Sequence, residues 1–409
     1  MSAKDFDVIV GGTTGFIHGV NISSTTNIVK TIQNPASNDN HGEVSCMEWE
    51  NLNEQNILIG CGKNNVRSVK IYDTENHSLR TLFVADVGLG AIRGLAKYNE
   101  QVLTAAESGH IKLWNHCGDE EFVLEAGKNL NRMRRAFMQE NIIATGGDEN
   151  PLKLFDIERQ TQIFTAKNVP NDQLTQLKVE IGINDIGFIN NSEHIATAGK
   201  YGHIRLYDIK AQRRPVVNIQ MNGDDIAIKA LATCTHEDKH IIVGTGKGRM
   251  NLIDLRKPGK ILNTYKGPAG AITAIAATNL EVVSISYDRY LYVHNIKTKA
   301  LLKKCNLKSK LSAMVLRAQF SSEKPQIKKE VTVSDDDDDD DDIFEDLELQ
   351  KPKKRKCIED IVCNGASINK KIKNNKKVIK KSAEPDSDDD SDELDTDDSF
   401  NGDSSEVSE

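Results

Sequence analysis

Three features of the 409-residue sequence predict an all-β protein built from repeats. The first is a recurring pattern whose clearest copy is IRLYDI at 204–209. Ile204 and Leu206 are apolar, Arg205 between them is polar, Tyr207 is aromatic and Asp208 closes the unit, which is the alternation of a half-buried strand. VKIYD, IKLWN, LKLFD, MNLID and LYVHN repeat it. The closing residues fall at 73, 115, 156, 208, 254 and 295, so the intervals are 42, 41, 52, 46 and 41. A regular period of this length is the mark of a repeat architecture.

The second feature is a matching strand and tight turn before each copy: NILIGC, QVLTAA, NIIATGG, EHIATAG, HIIVGTG and EVVSISY, with turns such as SGH, DEN, YGH and KGR. The third is another strand upstream, rich in small and branched residues: VSCMEW, AIRGLA, RMRRAFM, INDIGFI, IKALAT and AITAIA. Three inner strands and one outer strand in roughly forty residues make a WD-type propeller blade. A seventh blade is expected in two pieces. DVIVGGT and GFIHGVNI supply its last two strands, while ALLKKCNL and LSAMVLR, at 300–317, supply its first two. Such closure leaves few free sheet edges. The expected organisation is a seven-bladed WD-repeat β-propeller over 1–317 and a disordered, charged C-terminal tail over 318–409.

Charge separates the two regions. Residues 321–409 hold 28 acidic and 15 basic residues, a net of -13, so the overall charge of -8 leaves +5 on residues 1–320. Apolar residues in the tail are too sparse to offset the entropy of ordering it. Asp335–Asp342 is an unbroken acidic run, with Ile343, Phe344, Leu347 and Leu349 after it as a candidate docking motif. Lys351, Lys353, Lys354, Arg355 and Lys356 form KPKKRK, a candidate nuclear import signal to be read by an import receptor, with a second lysine cluster at 370–381. Ser334 and Ser387 each precede three aspartates and are candidate phosphorylation sites for an acid-directed kinase.

Other classes are disfavoured. The seven cysteines show no CxxC pair and mostly fall on strand positions, which predicts inert thiols. The first residues have no basic region followed by an apolar stretch, and nowhere do eighteen apolar residues run together, so neither a signal peptide nor a membrane span is expected. HEDKH at 236–240 matches a zinc-protease pattern but lies where a hairpin turn is required rather than a helix. GTGKGR at 244–249 lacks the phosphate-loop spacing and a following helix. A non-enzymatic scaffold without cofactor or metal is the expectation.

What such a scaffold binds is suggested by its cations. Lys70, Lys112, Lys153 and Arg205 share the second position of four outer strands, which places the basic excess around the rim. Further clusters are Arg132, Arg134 and Arg135, then Arg213 and Arg214, and Lys303, Lys304, Lys308 and Lys310. A polyanion such as RNA would meet these through phosphate contacts. The longest departure from the repeat, AKNVPNDQLTQLKVEIG at 166–182, widens one interval to 52 and is a candidate binding loop.

GGTTGFIHGVNI, AIRGLA, NRMRRAF, IATGGDENPLKLFDI, FTAKNVPNDQL, QRRPV, YKGPAG, YDRYLYVH and LKSKL together resemble the successive segments of the WD repeat-containing protein 74 family, whose yeast counterpart is the Nop-seven-associated protein one. The resemblance covers about residues 6–317, and AKNVPNDQL and QRRPV are its specific pieces because they lie outside the generic repeat. It implies a seven-bladed propeller acting in large ribosomal subunit assembly in the nucleolus and nucleoplasm. The implied role is a scaffold on pre-60S particles needed for ribosomal RNA processing, with no catalytic residue, removed by a hexameric AAA ATPase; animal members are tied to a helicase of the RNA exosome. The contact residues it implies are Arg93, Arg134, Lys167, Asn168, Asn171, Asp172, Arg213 and Arg214. Only Trp114 and Asn115 approach a true WD dipeptide, so the usual buried hydrogen-bond network is expected to be weak. Two rival readings are a chromatin or histone-binding propeller, favoured by the aspartate run, and a ubiquitin-ligase substrate receptor, because Asp254, Leu255 and Arg256 match the DxR ending used to dock on ligase adaptors.

Overall fold

Strand by strand, the repeat becomes a closed ring. The computed structural model describes residues 6–320 apart from 23–27, 35–41, 64–65, 116–119, 174, 190–192, 222–226, 235–238, 257–259 and 319. Among them are 28 strands in seven four-stranded antiparallel sheets, the predicted seven-bladed propeller. Blades 2 to 7 span 44–84, 92–125, 130–165, 183–220, 228–265 and 272–306. The motif strands are the third of each blade, with a fourth outside them.

Blade 1 closes the ring, but not with the strands expected. The C-terminal side contributes one strand, Leu311–Leu316, which pairs with Val8–Gly12; Ile17–Asn21 and Ile28–Gln33 follow outward. Leu301–Asn306 is instead the outer strand of blade 7. The cause is local turn chemistry. Asn295 Oδ1 accepts the backbone N–H groups of Lys297 and Thr298 at 3.0 and 2.9 Å, and Lys299 takes a φ of 63°, folding the chain straight back onto Tyr290–Asn295.

The same device explains the acidic residue that ends the repeat. Asp73 Oδ1 accepts from the N–H groups of Glu75 and Asn76, Asp156 Oδ1 from those of Glu158 and Arg159, and Asp208 Oδ1 from those of Lys210 and Ala211. Each carboxylate therefore builds the turn into the outer strand. Accepting from Asn76 holds the Asp73 carboxyl below its ordinary value.

The core is divided among seven seams between neighbouring blades. In one, Ile204, Leu206 and Ile219 of blade 5 meet Ile228, Leu231 and Val243 of blade 6. Full burial of such a side chain contributes roughly 1.5–3 kcal/mol. The seams are tight. A Cβ on Gly94 of blade 3 would stand 2.5 Å from Met133 Cβ of blade 4, so only glycine lets the two inner strands approach. With the seams filled, the loops, the outer edges and the axial channel are what remain for contact with other molecules.

Candidate interaction surfaces

The insertion at 166–182 leaves the outer strand Thr161–Thr165 of blade 4 and crosses to the hairpin of blade 5. Two bonds fasten it there: the Lys167 N–H donates to the Arg213 carbonyl at 2.8 Å, and Arg213 Nε donates to the Thr165 carbonyl at 2.7 Å. Within the loop, Asn168 Nδ2 donates to the Val179 carbonyl at 2.6 Å and Asn171 Nδ2 to the Gln176 carbonyl at 3.1 Å. Asp172 Oδ1 accepts from the Thr175 N–H at 2.9 Å and from its hydroxyl at 3.0 Å. Asn168, Asn171, Asp172 and the Arg213 Nε thus build the loop itself. Lys167 and Arg214 are exposed and make no ion pair among the described residues.

Between the loop and the blade 5 hairpin lies a crevice of about 750 Å³. Pro170, Asn171, Asp172, Arg214, Val216 and Asn218 are among its walls. Of the eight residues singled out in the sequence, six lie on the loop or this hairpin, and three of them, Asn171, Asp172 and Arg214, line the crevice. His203, which also lines the crevice, was missed. Burial and the charge of Arg205 hold its imidazole down to about 4, so it is neutral near pH 7.

Arg93 and Arg134 lie elsewhere, at the axial channel formed by the inner strands. Arg93 stands at one mouth with Nη2 2.9 Å from Glu107 Oε2. Arg134 lies toward the other, 3.3 Å from Glu48 and 3.4 Å from Asp185. Asp185 is the hub of this channel, and sequence reading missed it. Its Oδ1 takes Arg132 Nε at 2.9 Å and the Ile186 N–H at 3.0 Å, and its Oδ2 takes the Leu231 N–H at 2.9 Å. Burial alone would raise its carboxyl, but Arg132, Arg134 and the two amides overcome that and hold it below the ordinary value. The signal was an aspartate in the apolar strand INDIGFI, beside a blade carrying RMRR. The exposed apolar residues Leu52 and Phe137 line the second mouth.

The cations expected around the rim are corrected by the structure. Lys112 is 1% exposed, with Nζ 3.6 Å from the Trp114 ring centroid and 3.6 Å from Asp86. Lys70 Nζ donates to Gln33 of blade 1 at 3.1 Å, and Lys153 Nζ to the Ala126 carbonyl at 2.7 Å. Arg205 is 5% exposed and gives Nε to Asn218 Oδ1 at 3.3 Å. The second position of the repeat faces the seams, where a long apolar stem packs and the charged end finds a partner. Part of the usual propeller network does survive: Trp114 Nε1 donates to Thr104 Oγ1 at 2.8 Å.

The remaining motifs read as structure. His240 opens the strand His240–Thr245, while His236 lies outside the described residues; no metal-holding cluster occurs among those described. GTGKGR ends a strand and turns at Gly248, whose φ is 87°. Arg256 folds back onto its own Asp254 at 3.3 Å and lies 3.2 Å from His240 Nε2. Cys46, Cys61, Cys234 and Cys305 are buried, and burial pushes the Cys46 and Cys61 thiols up to about 12 and 11. No described helix is long and apolar enough to cross a membrane. Ser334, Ser387, the import signal and the acidic runs lie outside the described residues.

Seven antiparallel sheets around a channel, with third strands that close on Asp or Asn, define a WD-repeat β-propeller. No family model matches the sequence. The chain is similar to WD repeat-containing protein 74 of Bos taurus, 32% identical over 334 residues that span 79% of this chain and 84% of that protein. It is also similar to the Homo sapiens protein of that name, at 31% with 80% and 86% covered, and to ribosome biogenesis protein NSA1 of Meyerozyma guilliermondii, at 28% with 46% and 55% covered. The chain belongs to the WD repeat-containing protein 74 family.

Proposed function

We propose that this protein is a non-enzymatic scaffold of ribosome biogenesis that rides on pre-60S particles and is needed for ribosomal RNA processing. The observation that carries this reading is the similarity over most of the propeller to the WD repeat-containing protein 74 relatives, joined by matches to proteins named for ribosome biogenesis. The geometry supports it. The segments outside the generic repeat, the insertion and the RRPV hairpin, are bonded together into one exposed surface on the rim. In this reading Lys167, Arg213 and Arg214 face the particle, while Arg93 and Arg134 offer second contacts at the channel mouths. An AAA ATPase releases the protein, and a helicase of the RNA exosome works alongside it.

The propeller, 1–317, does the docking, and the tail, 318–409, delivers it to the nucleus, nucleolus and nucleoplasm. Lys351, Lys353, Lys354, Arg355 and Lys356 engage the import receptor, and phosphate on Ser334 or Ser387 adds to the acidic charge. The ligase reading loses ground because Arg256 is already engaged by Asp254 and His240. The test is sucrose-gradient fractionation of nuclear extract, probing each fraction for the protein and for large-subunit ribosomal RNA precursors. Co-migration is expected. Migration only as free protein or with chromatin would overturn the assembly role.

A further inference from the structure

One buried cation differs from the rest. Arg205 is 5% exposed, yet no carboxylate pairs with it among the described residues, and its Nη2 has no hydrogen-bond partner. Its neutral partners are Asn218 Oδ1 across the sheet and the Tyr207 side chain on its own strand. Asn218 is exposed and lines the rim crevice, as does His203, whose Nδ1 is also buried without a partner. The crevice therefore has a guanidinium beneath its floor and another, Arg214, on its wall. Its carboxylate, Asp172, is engaged within its own loop. A buried charge without a counter-charge is costly, so the site favours an anion brought from outside.

The shape and chemistry say which kind of anion. The crevice lies over one face of Val217–Gln220, the fourth strand of blade 5: Asn218 and Gln220 turn into it, with His203 beside Gln220 on the paired strand His203–Asp208. Gln212 and Gln220 give Nε2 to the carbonyls of Pro215 and Tyr201 at 3.3 and 2.9 Å, which leaves each Oε1 as an acceptor. These acceptors match peptide N–H groups. They do not match phosphate oxygens, which are acceptors themselves. For stacking a base the lining offers only His203 and the Arg214 guanidinium; most of the wall is aliphatic, from Val169, Pro170, Pro215 and Val216.

We propose that the rim crevice holds an extended acidic segment of a partner protein, laid over the face of Val217–Gln220 with a carboxylate drawn to Arg214 and to Arg205 beneath Asn218. This deepens the assembly reading and rests on it for the identity of the partner's setting, but the chemistry is tested separately. The purified full-length protein is applied to an array of ten-residue peptides of acidic, neutral and basic composition, with oligouridylate of equal length in parallel. Acidic peptides with branched apolar residues should be retained. Asn218→Asp supplies the missing carboxylate from within, so it should reduce that binding at least tenfold while the protein melts no lower than the parent; Arg214→Glu should reduce it comparably.

Three outcomes overturn the proposal: no preference for acidic peptides, binding indifferent to both substitutions, or retention of oligouridylate in their place with the same dependence on Arg214. The gradient experiment above reads particle association whatever the occupant of the crevice. The two ideas therefore fail independently.

Discussion

Arg67 and Arg205 are both guanidinium groups sealed inside the same ring of blades, and they are treated in opposite ways. Arg67, 1% exposed, gives Nε to the Ala85 carbonyl at 3.1 Å, Nη1 to Gly90 at 3.0 Å, and Nη2 to Val87 and Gly88 at 3.0 and 2.8 Å. Four carbonyls of one loop close around it. Arg205 has one amide across the sheet, the Tyr207 side chain beside it and a nitrogen left over. Buried polar groups are satisfied as a rule, so the first arrangement is a finished piece of structure and the second is an opening. The difference separates the seam between blades 2 and 3, which is complete within the chain, from the rim of blade 5, which is not.

The largest expected effect is in the axial channel. Asp185→Ala leaves Arg132 with no carboxylate and Arg134 with Glu48 alone, and breaking a buried pair of this kind costs about 3–5 kcal/mol. Chemical denaturation should show a midpoint lowered accordingly. The pH dependence has a definite sign. The folded carboxyl lies below its unfolded value of about 3.9, so its stabilisation is fully present above that pH and is lost as the pH falls through the folded value. The variant should therefore lose less stability than the parent as the pH falls below the unfolded value. Equal acid limbs would show that Asp185 is not the hub described.

The two arginines come next. Arg67→Met strands four carbonyls and should cost about 3 kcal/mol, whereas Arg205→Met removes bonds to an amide that water can reach and to the Tyr207 side chain and should cost about 1 kcal/mol. Parallel melting curves decide this. If Arg205→Met is as damaging as Arg67→Met, Arg205 is structural and the comparison collapses.

Much of the fold was legible because turn chemistry and side-chain period act locally. Asp208 signals the end of a third strand by the bonds it makes two and three residues on, and the same pair of bonds recurs at Asp73, Asp156 and Asn295. What failed was the assignment of partners across space. Leu301–Asn306 looks as strand-like as Leu311–Leu316, and only the cap at Asn295 tells which blade receives it. The cations failed for a related reason. Lys112 and Arg205 read as solvent-facing in a pattern of alternation, but a propeller blade is covered on both faces, so the polar member of the pair enters the next seam. The insertion was visible as an interval of 52, but not that Arg213 would spend its Nε on fastening it.

That last point sets the smallest effect on stability and the cleanest test of the rim. Reversing Arg213 would disturb the Thr165 anchor as well as the surface charge, so its phenotype would mix folding with contact. Lys167 and Arg214 are exposed and make no ion pair among the described residues. Lys167→Glu with Arg214→Glu should change unfolding free energy by about 0.5 kcal/mol or less, within the usual range for surface positions. The same double variant should leave the heavy gradient fractions for the light ones. A variant that melts like the parent and still sediments with precursor particles would move the contact surface away from this rim, to the channel mouths where Arg93 and Arg134 stand.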